Sequence, residues 1–104
     1  MSRDHRPNSR VADRKQRQLC SVVERAIDLA FGASADPLLQ GCWVVDVRPA
    51  ATQAQLQVRV CSEDGIQHDD LQARLLRATP WLRSEVRVFV NRKRMPQLTL
   101  VLLP

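Results

Sequence analysis

The chain has 104 residues, a length that fits one domain, and 44% of them are hydrophobic, which excludes a chain disordered by composition. Its formal net charge is +5, unevenly spread: residues 1–17 carry a net +4, residues 81–104 another +4, and the stretch between them −3. No run of about 18 apolar residues exists to cross a membrane, and the three cysteines (Cys20, Cys42, Cys61) are too scattered for a disulfide framework or a zinc site.

Residues 1–9 (MSRDHRPNS) are polar and contain Pro7, and they read as a flexible basic arm. From Arg10 to Phe31 the pattern is helical. Leu19, Val22, Val23, Ala26, Ile27 and Ala30 recur at spacings of three and four. Ser9 is placed to cap this helix and Gly32 to end it in a left-handed conformation. Arg10, Arg14 and Arg17 project opposite the apolar stripe, and Glu24 and Asp28 continue that outer face with the opposite sign. Cations at a helix start oppose the helix dipole, by about 0.3–1 kcal/mol each. Such an arrangement suits a partner better than it suits the fold.

Residues 34–40 form a turn region around Asp36-Pro37. Residues 41–48 (GCWVVDVR) read as a strand with Trp43, Val45 and Val47 on one face, and Trp43 is expected in the core. After a loop at 49–54, residues 55–61 (QLQVRVC) alternate, with Leu56, Val58 and Val60 inward. The two strands predict an antiparallel hairpin. A turn at Glu63-Asp64-Gly65 leads to a helix from about His68 to Ala78, with Asp69 and Asp70 in its first turn. At Ala78-Thr79-Pro80 that helix is expected to stop and another to start, because proline disfavours a helical residue before it and suits the first helical position. The stretch from Trp81 fits either a helix face or an alternating strand. Residues 97–103 (QLTLVLL) read as a strand, apolar nearly throughout, as expected when both faces or the centre of a sheet are buried. With 81–91 helical, a two-helix crossover makes the last strand pair in parallel.

Ordered this way, RKQRQLCSVVERAIDLAF, Asp36-Pro37-Leu38, VVDVRPA, LQVRV, LLRATPWLRSEV and RMPQLTLVL resemble the ribosome-binding factor A family from about Arg10 to Leu103. The resemblance implies that residues 81–91 are helix. It also implies an α+β fold of KH type II-like topology: helix-strand-strand-helix-helix-strand, a three-stranded mixed sheet with helices on one face, residues 10–104 forming one KH-like domain. KH domains join their paired helices through a GxxG loop that clamps nucleic-acid backbone. The family is similar but carries an Ala-x-Gly kink, and here Pro80 replaces that glycine. Both the bareness and the N–H of glycine are lost there. What the family resemblance implies is a cytoplasmic ribosome-assembly factor. It would bind the free small subunit and its rRNA during late maturation and rRNA processing, as a monomer without cofactor.

The residues themselves favour binding over catalysis. His5, in the arm, and His68, at a helix start, read as plain surface residues and not as general bases, the serines lack a visible base partner, and the adjacent Asp69 and Asp70 point apart on a helix. No P-loop, GxSxG or HExxH motif occurs, so no catalytic or metal-ligating residue is assigned and no small-molecule substrate is expected. The candidate RNA-binding residues are Arg10, Arg14, Lys15, Arg17, Arg83, Arg87, Arg92, Lys93 and Arg94, expected on one basic surface beside the kink. Trp81 could stack on a base or pack into the core, and the core is expected. Two other classes compete: a protein–protein module docking an acidic partner by its hairpin edge or basic helix, and a small acylphosphatase-like hydrolase.

Overall fold

The computed structural model describes residues 6–50, 54–63, 65, 67–90 and 94–104, with side chains from Arg14 onward. Six elements follow in chain order: α1 (Arg6–Gly32), α2 (Pro37–Gln40), β1 (Cys42–Pro49), β2 (Gln55–Ser62), α3 (His68–Phe89) and β3 (Gln97–Leu102). The strands form one mixed sheet in the order β1-β2-β3. The hairpin pair is antiparallel, and the connection through α3 brings β3 parallel to β2. Both long helices cover one face, as the sequence predicts.

The core follows from period. At 3.6 residues per turn, Leu19, Val23, Ile27 and Phe31 form one stripe of α1, and Leu71, Leu75, Leu82 and Val86 one stripe of α3. Between them lie Leu56, Val58 and Val60 of the central strand, each fully buried. Helix α1 takes in Arg6 to Ser9, four residues that the sequence assigns to the basic arm, so Ser9 lies inside the helix and not at its cap. Residues 1–5 lie outside the described residues. Gly32 closes α1 without a left-handed conformation, and Ala33 and Ser34 bond back to the carbonyls of Leu29, Ala30 and Phe31. The glycine that adopts positive φ is Gly65, at 89°, in the turn after β2.

The expected turn at Asp36-Pro37 is sharper than a loop. Asp36 caps the one-turn helix α2, its Oδ1 accepting from the Leu38 N–H at 3.0 Å, with proline in the first turn. Its other oxygen accepts from Arg74 Nη1 at 2.8 Å, which fastens α2 to α3.

Three expectations about faces are corrected. In β1 the inward residues are Cys42 and Val44, while Trp43 is 47% and Val45 40% exposed. A bulge explains the reversal. Val44 pairs with Val60 and Val47 with Val58, so Val45 and Asp46 together oppose Arg59. The extra residue switches parity, returning Val47 to the core side but leaving Trp43 outside. Second, β3 is an edge strand with one buried face, Leu98, Leu100 and Leu102. Its free edge is covered from α3. Gln72 Nε2 donates to the Leu100 carbonyl at 3.1 Å, Gln72 Oε1 accepts from the Leu102 N–H at 2.9 Å, and His68 Nε2 lies 3.0 Å from the Leu102 carbonyl. Third, Asp28 is not merely a solvated charge, for it accepts from the Val44 N–H at 2.8 Å and occupies the opposite sheet edge.

The expected break at Ala78-Thr79-Pro80 is absent, because α3 runs unbroken from His68 to Phe89 with Pro80 inside it. Proline there removes one backbone bond and crowds the carbonyl of Leu76. That carbonyl belongs to a residue 59% exposed, so water can satisfy it. The Thr79 hydroxyl does not cap a new helix but donates to the Leu75 carbonyl at 2.9 Å, and Ser84 donates to the Pro80 carbonyl at 3.0 Å. Leu71 and Leu75 before the proline and Leu82 and Val86 after it share one buried stripe, and this packing holds the helix in register. The order is therefore one long crossover helix, not a helix pair.

Candidate nucleic-acid interface

The outer side of the helical layer carries several exposed cations. Opposite the buried stripe of α3, Arg77, Pro80, Ser84 and Arg87 fall within about 80° of one another at 3.6 residues per turn, and Arg83 lies at the flank of the same face. All five are exposed. Arg83 Nη2 donates to the Met95 carbonyl at 3.2 Å, just before β3. Among the described residues, no carboxylate pairs with Arg77, Arg83 or Arg87. Arg77 was not among the sequence candidates. Its spacing of ten residues from Arg87 is the signal that would have found it, once α3 is read as a single helix.

On α1, Arg14, Lys15 and Arg17 are exposed, and Leu19 is the first buried side chain described. Arg14 and Arg17 share a face within about 60°, whereas Lys15 turns about 100° away from Arg14. Arg17 sits with Cys20 and Ser21 over Val47 and Pro49 in an open groove between α1 and β1. Arg94 is exposed ahead of β3. Arg92 and Lys93 lie outside the described residues, as does the side chain of Arg10.

These placements have a common address. In the sheet, Pro49 at the end of β1 pairs with Leu56 near the start of β2, and Gln55 pairs with Gln97 at the start of β3. Arg17 beside Pro49, Arg83 beside Met95 and Arg94 therefore belong to the same end of the sheet. They do not form a single cluster. Arg17 stands at the β1 margin and Arg83 at the β3 margin, with the central strand β2 between them. The cations of the two termini thus share an end of the domain and the solvent side of its helices, divided between two margins.

Other charged groups are held in ion pairs. Arg59 forks onto Asp46 through two bonds of 2.7 Å, and Arg48 reaches the same carboxylate at 3.2 Å. The fork from Arg59 holds the Asp46 carboxyl below its ordinary value. At Asp36, burial raises the carboxyl, but bonds from the Leu38 N–H and Arg74 outweigh it and the net shift is downward. The Cys42 thiol is buried, with Sγ 3.4 Å from the Leu38 carbonyl, and desolvation pushes it up to about 11, the signature of an inert thiol. All three cysteines are free. Trp81 packs against the core, as expected. Among the described residues, no group of three metal-ligating side chains comes together, and no helix is long and apolar enough to cross a membrane.

No protein-family model matches the chain, and no curated protein matches it in sequence. A solved structure does: the crystal structure of ribosome-binding factor A from Thermus thermophilus is 25% identical, with a TM-score of 0.69. The match covers 81% of this chain and 91% of that one. The chain is therefore similar to ribosome-binding factor A over most of its length, in the backbone that its residues build as well as in the short motifs they spell.

Proposed function

We propose that the protein is a ribosome-assembly factor that binds the free small ribosomal subunit and its rRNA during late maturation and rRNA processing, through the cationic outer surface of its helical layer. The likeness to a ribosome-binding factor supports association with the ribosome. The observation that carries the RNA reading is the row of exposed arginines on α3 with no acidic partner among the described residues. Each guanidinium that meets a phosphate releases counterions, and binding gains from that release without reading base sequence. We read the protein as a cytoplasmic, monomeric binding protein that needs no cofactor and carries out no chemistry.

A docking module that pairs through its hairpin edge fits the structure less well. Asp28 occupies the β1 edge at Val44, and Gln72 and His68 occupy the β3 edge, so backbone groups there are already engaged. The test is charge reversal on each margin. Arg83→Glu with Arg87→Glu, and separately Arg14→Glu with Arg17→Glu, are exposed substitutions that should leave thermal unfolding within about 1 kcal/mol. Each pair should abolish association with isolated small subunits. Unchanged association in both double variants refutes the proposed surface.

A further inference from the structure

The sheet face turned away from the helices holds a second surface, built around the tryptophan that the bulge leaves outside. Trp43 pairs across the strands with Cys61, and Arg59, two residues earlier on the same face of β2, pairs with Val101 of β3. Val45 opposes Arg59 beside Asp46. An apolar strip thus crosses all three strands, with Trp43 47% exposed at one margin and Cys61 and Val101 half-buried. Next to it lie two guanidinium groups, Arg48 and Arg59, that share the single carboxylate of Asp46 and so leave one positive charge in excess. The two-bond fork from Arg59 to Asp46 fixes the direction of its guanidinium, and Arg59 lies two residues along β2 from Cys61, the cross-strand partner of Trp43.

We propose that this open face binds a single-stranded segment of RNA, with one base stacked on the Trp43 indole and the adjoining phosphate drawn to the Arg48–Arg59 pair. The surface suits that occupant better than a protein. One aromatic and a few half-buried aliphatic or thiol groups expose far less than the roughly 800 Å² per partner of a standard protein interface. A single exposed ring is by contrast sufficient for a base, since every base offers a π-face. The one-charge excess of the Arg48–Arg59–Asp46 group and the net +5 of the chain complement a polyanion. The site lies on the opposite face of the sheet from the arginines of α1 and α3. It does not depend on the ribosomal reading, and it would let one small domain hold a folded RNA surface and a loose strand together.

The test uses the full chain and 12-nucleotide single-stranded RNA homopolymers, followed by fluorescence anisotropy and by tryptophan emission at low salt. Trp43→Ala should weaken strand binding about tenfold, and Trp43→Phe, which keeps a ring, should restore most of it. Strand binding should quench the emission of the unsubstituted protein but not that of Trp43→Phe, in which Trp81 alone reports. Circular dichroism melts should match throughout, because the side chain contributes little to the core. The inference is overturned if the strands do not bind, if Trp43→Ala binds as tightly as the unsubstituted chain, or if quenching persists in Trp43→Phe. Failure here is separable from failure of the ribosomal reading. A protein that sediments with small subunits but ignores Trp43→Ala loses only this site, and one that binds strands through Trp43 but ignores subunits loses only the ribosomal role.

Discussion

Replacing Pro80 tests whether α3 is one helix or two. An interior proline is less favourable than alanine in a helix by about 3 kcal/mol, through the lost bond and the ring's crowding of the preceding turn. Proline also restricts the unfolded chain, and losing that restriction gives back about 0.4–1 kcal/mol. Pro80 is exposed, so removing its ring forfeits little packing. Pro80→Ala should therefore stabilise the protein by about 2 kcal/mol, an increase in Tm of about 8–16 °C for a chain of this size. Pro80→Gly restores the N–H but adds backbone freedom, so its gain should be smaller, about 1 kcal/mol. Calorimetry or a circular dichroism melt reads both. If the proline instead opened a second helix, its ring would be favourable there, and Pro80→Ala would melt at or below the unsubstituted temperature. That result would refute the continuous helix.

Other substitutions probe the packing, the ion pairs and the interface. Leu82→Ala empties a fully buried position beyond the proline and should cost about 2–5 kcal/mol in urea unfolding, enough to leave the domain marginal. Acid should expose the two carboxylates. Asp36 and Asp46 sit below the unfolded value of about 3.9, so their contribution is present above that pH and is lost as pH falls through their folded values. Unfolding measured from pH 5 down to pH 2 should accordingly be flatter for Asp36→Asn with Asp46→Asn than for the unsubstituted chain, and equal slopes would contradict the pairing. Arg77→Ala should weaken RNA binding and lower the slope of log affinity against log salt by about one phosphate contact, whereas an unchanged slope would remove Arg77 from the interface.

The sequence was most legible where one period ruled. The stripe of α1 from Leu19 to Ala30 and the alternation of Leu56, Val58 and Val60 each describe a face that must be buried, and each is, except that Val22 at the margin of the α1 stripe is 37% exposed. Local rules misled where tertiary structure outweighed them. Proline chemistry at Thr79-Pro80 predicts a break, but the buried pair Leu71 and Leu75 before it and Leu82 and Val86 after it outweigh it. In β1 a run of apolar residues hides its own parity, since nothing in GCWVVDVR announces the extra residue that sends Trp43 outward. The strand QLTLVLL reads as central because it is apolar, yet its edge is sealed by Gln72 and His68, distant polar side chains that carry no pattern of their own. For the site, the residue types and the end-loaded charge were readable. Their sharing of one end of the sheet depends on the parallel pairing of β2 with β3, and their division between two margins depends on which way each helix turns.

Co-sedimentation of the unsubstituted protein with free small subunits, large subunits and assembled ribosomes, across a range of salt, tests the central claim most directly. The account predicts selective pelleting with free small subunits, weakening log-linearly as salt rises. Equal binding to all three particles, or pelleting with small subunits that salt leaves unchanged, would contradict it.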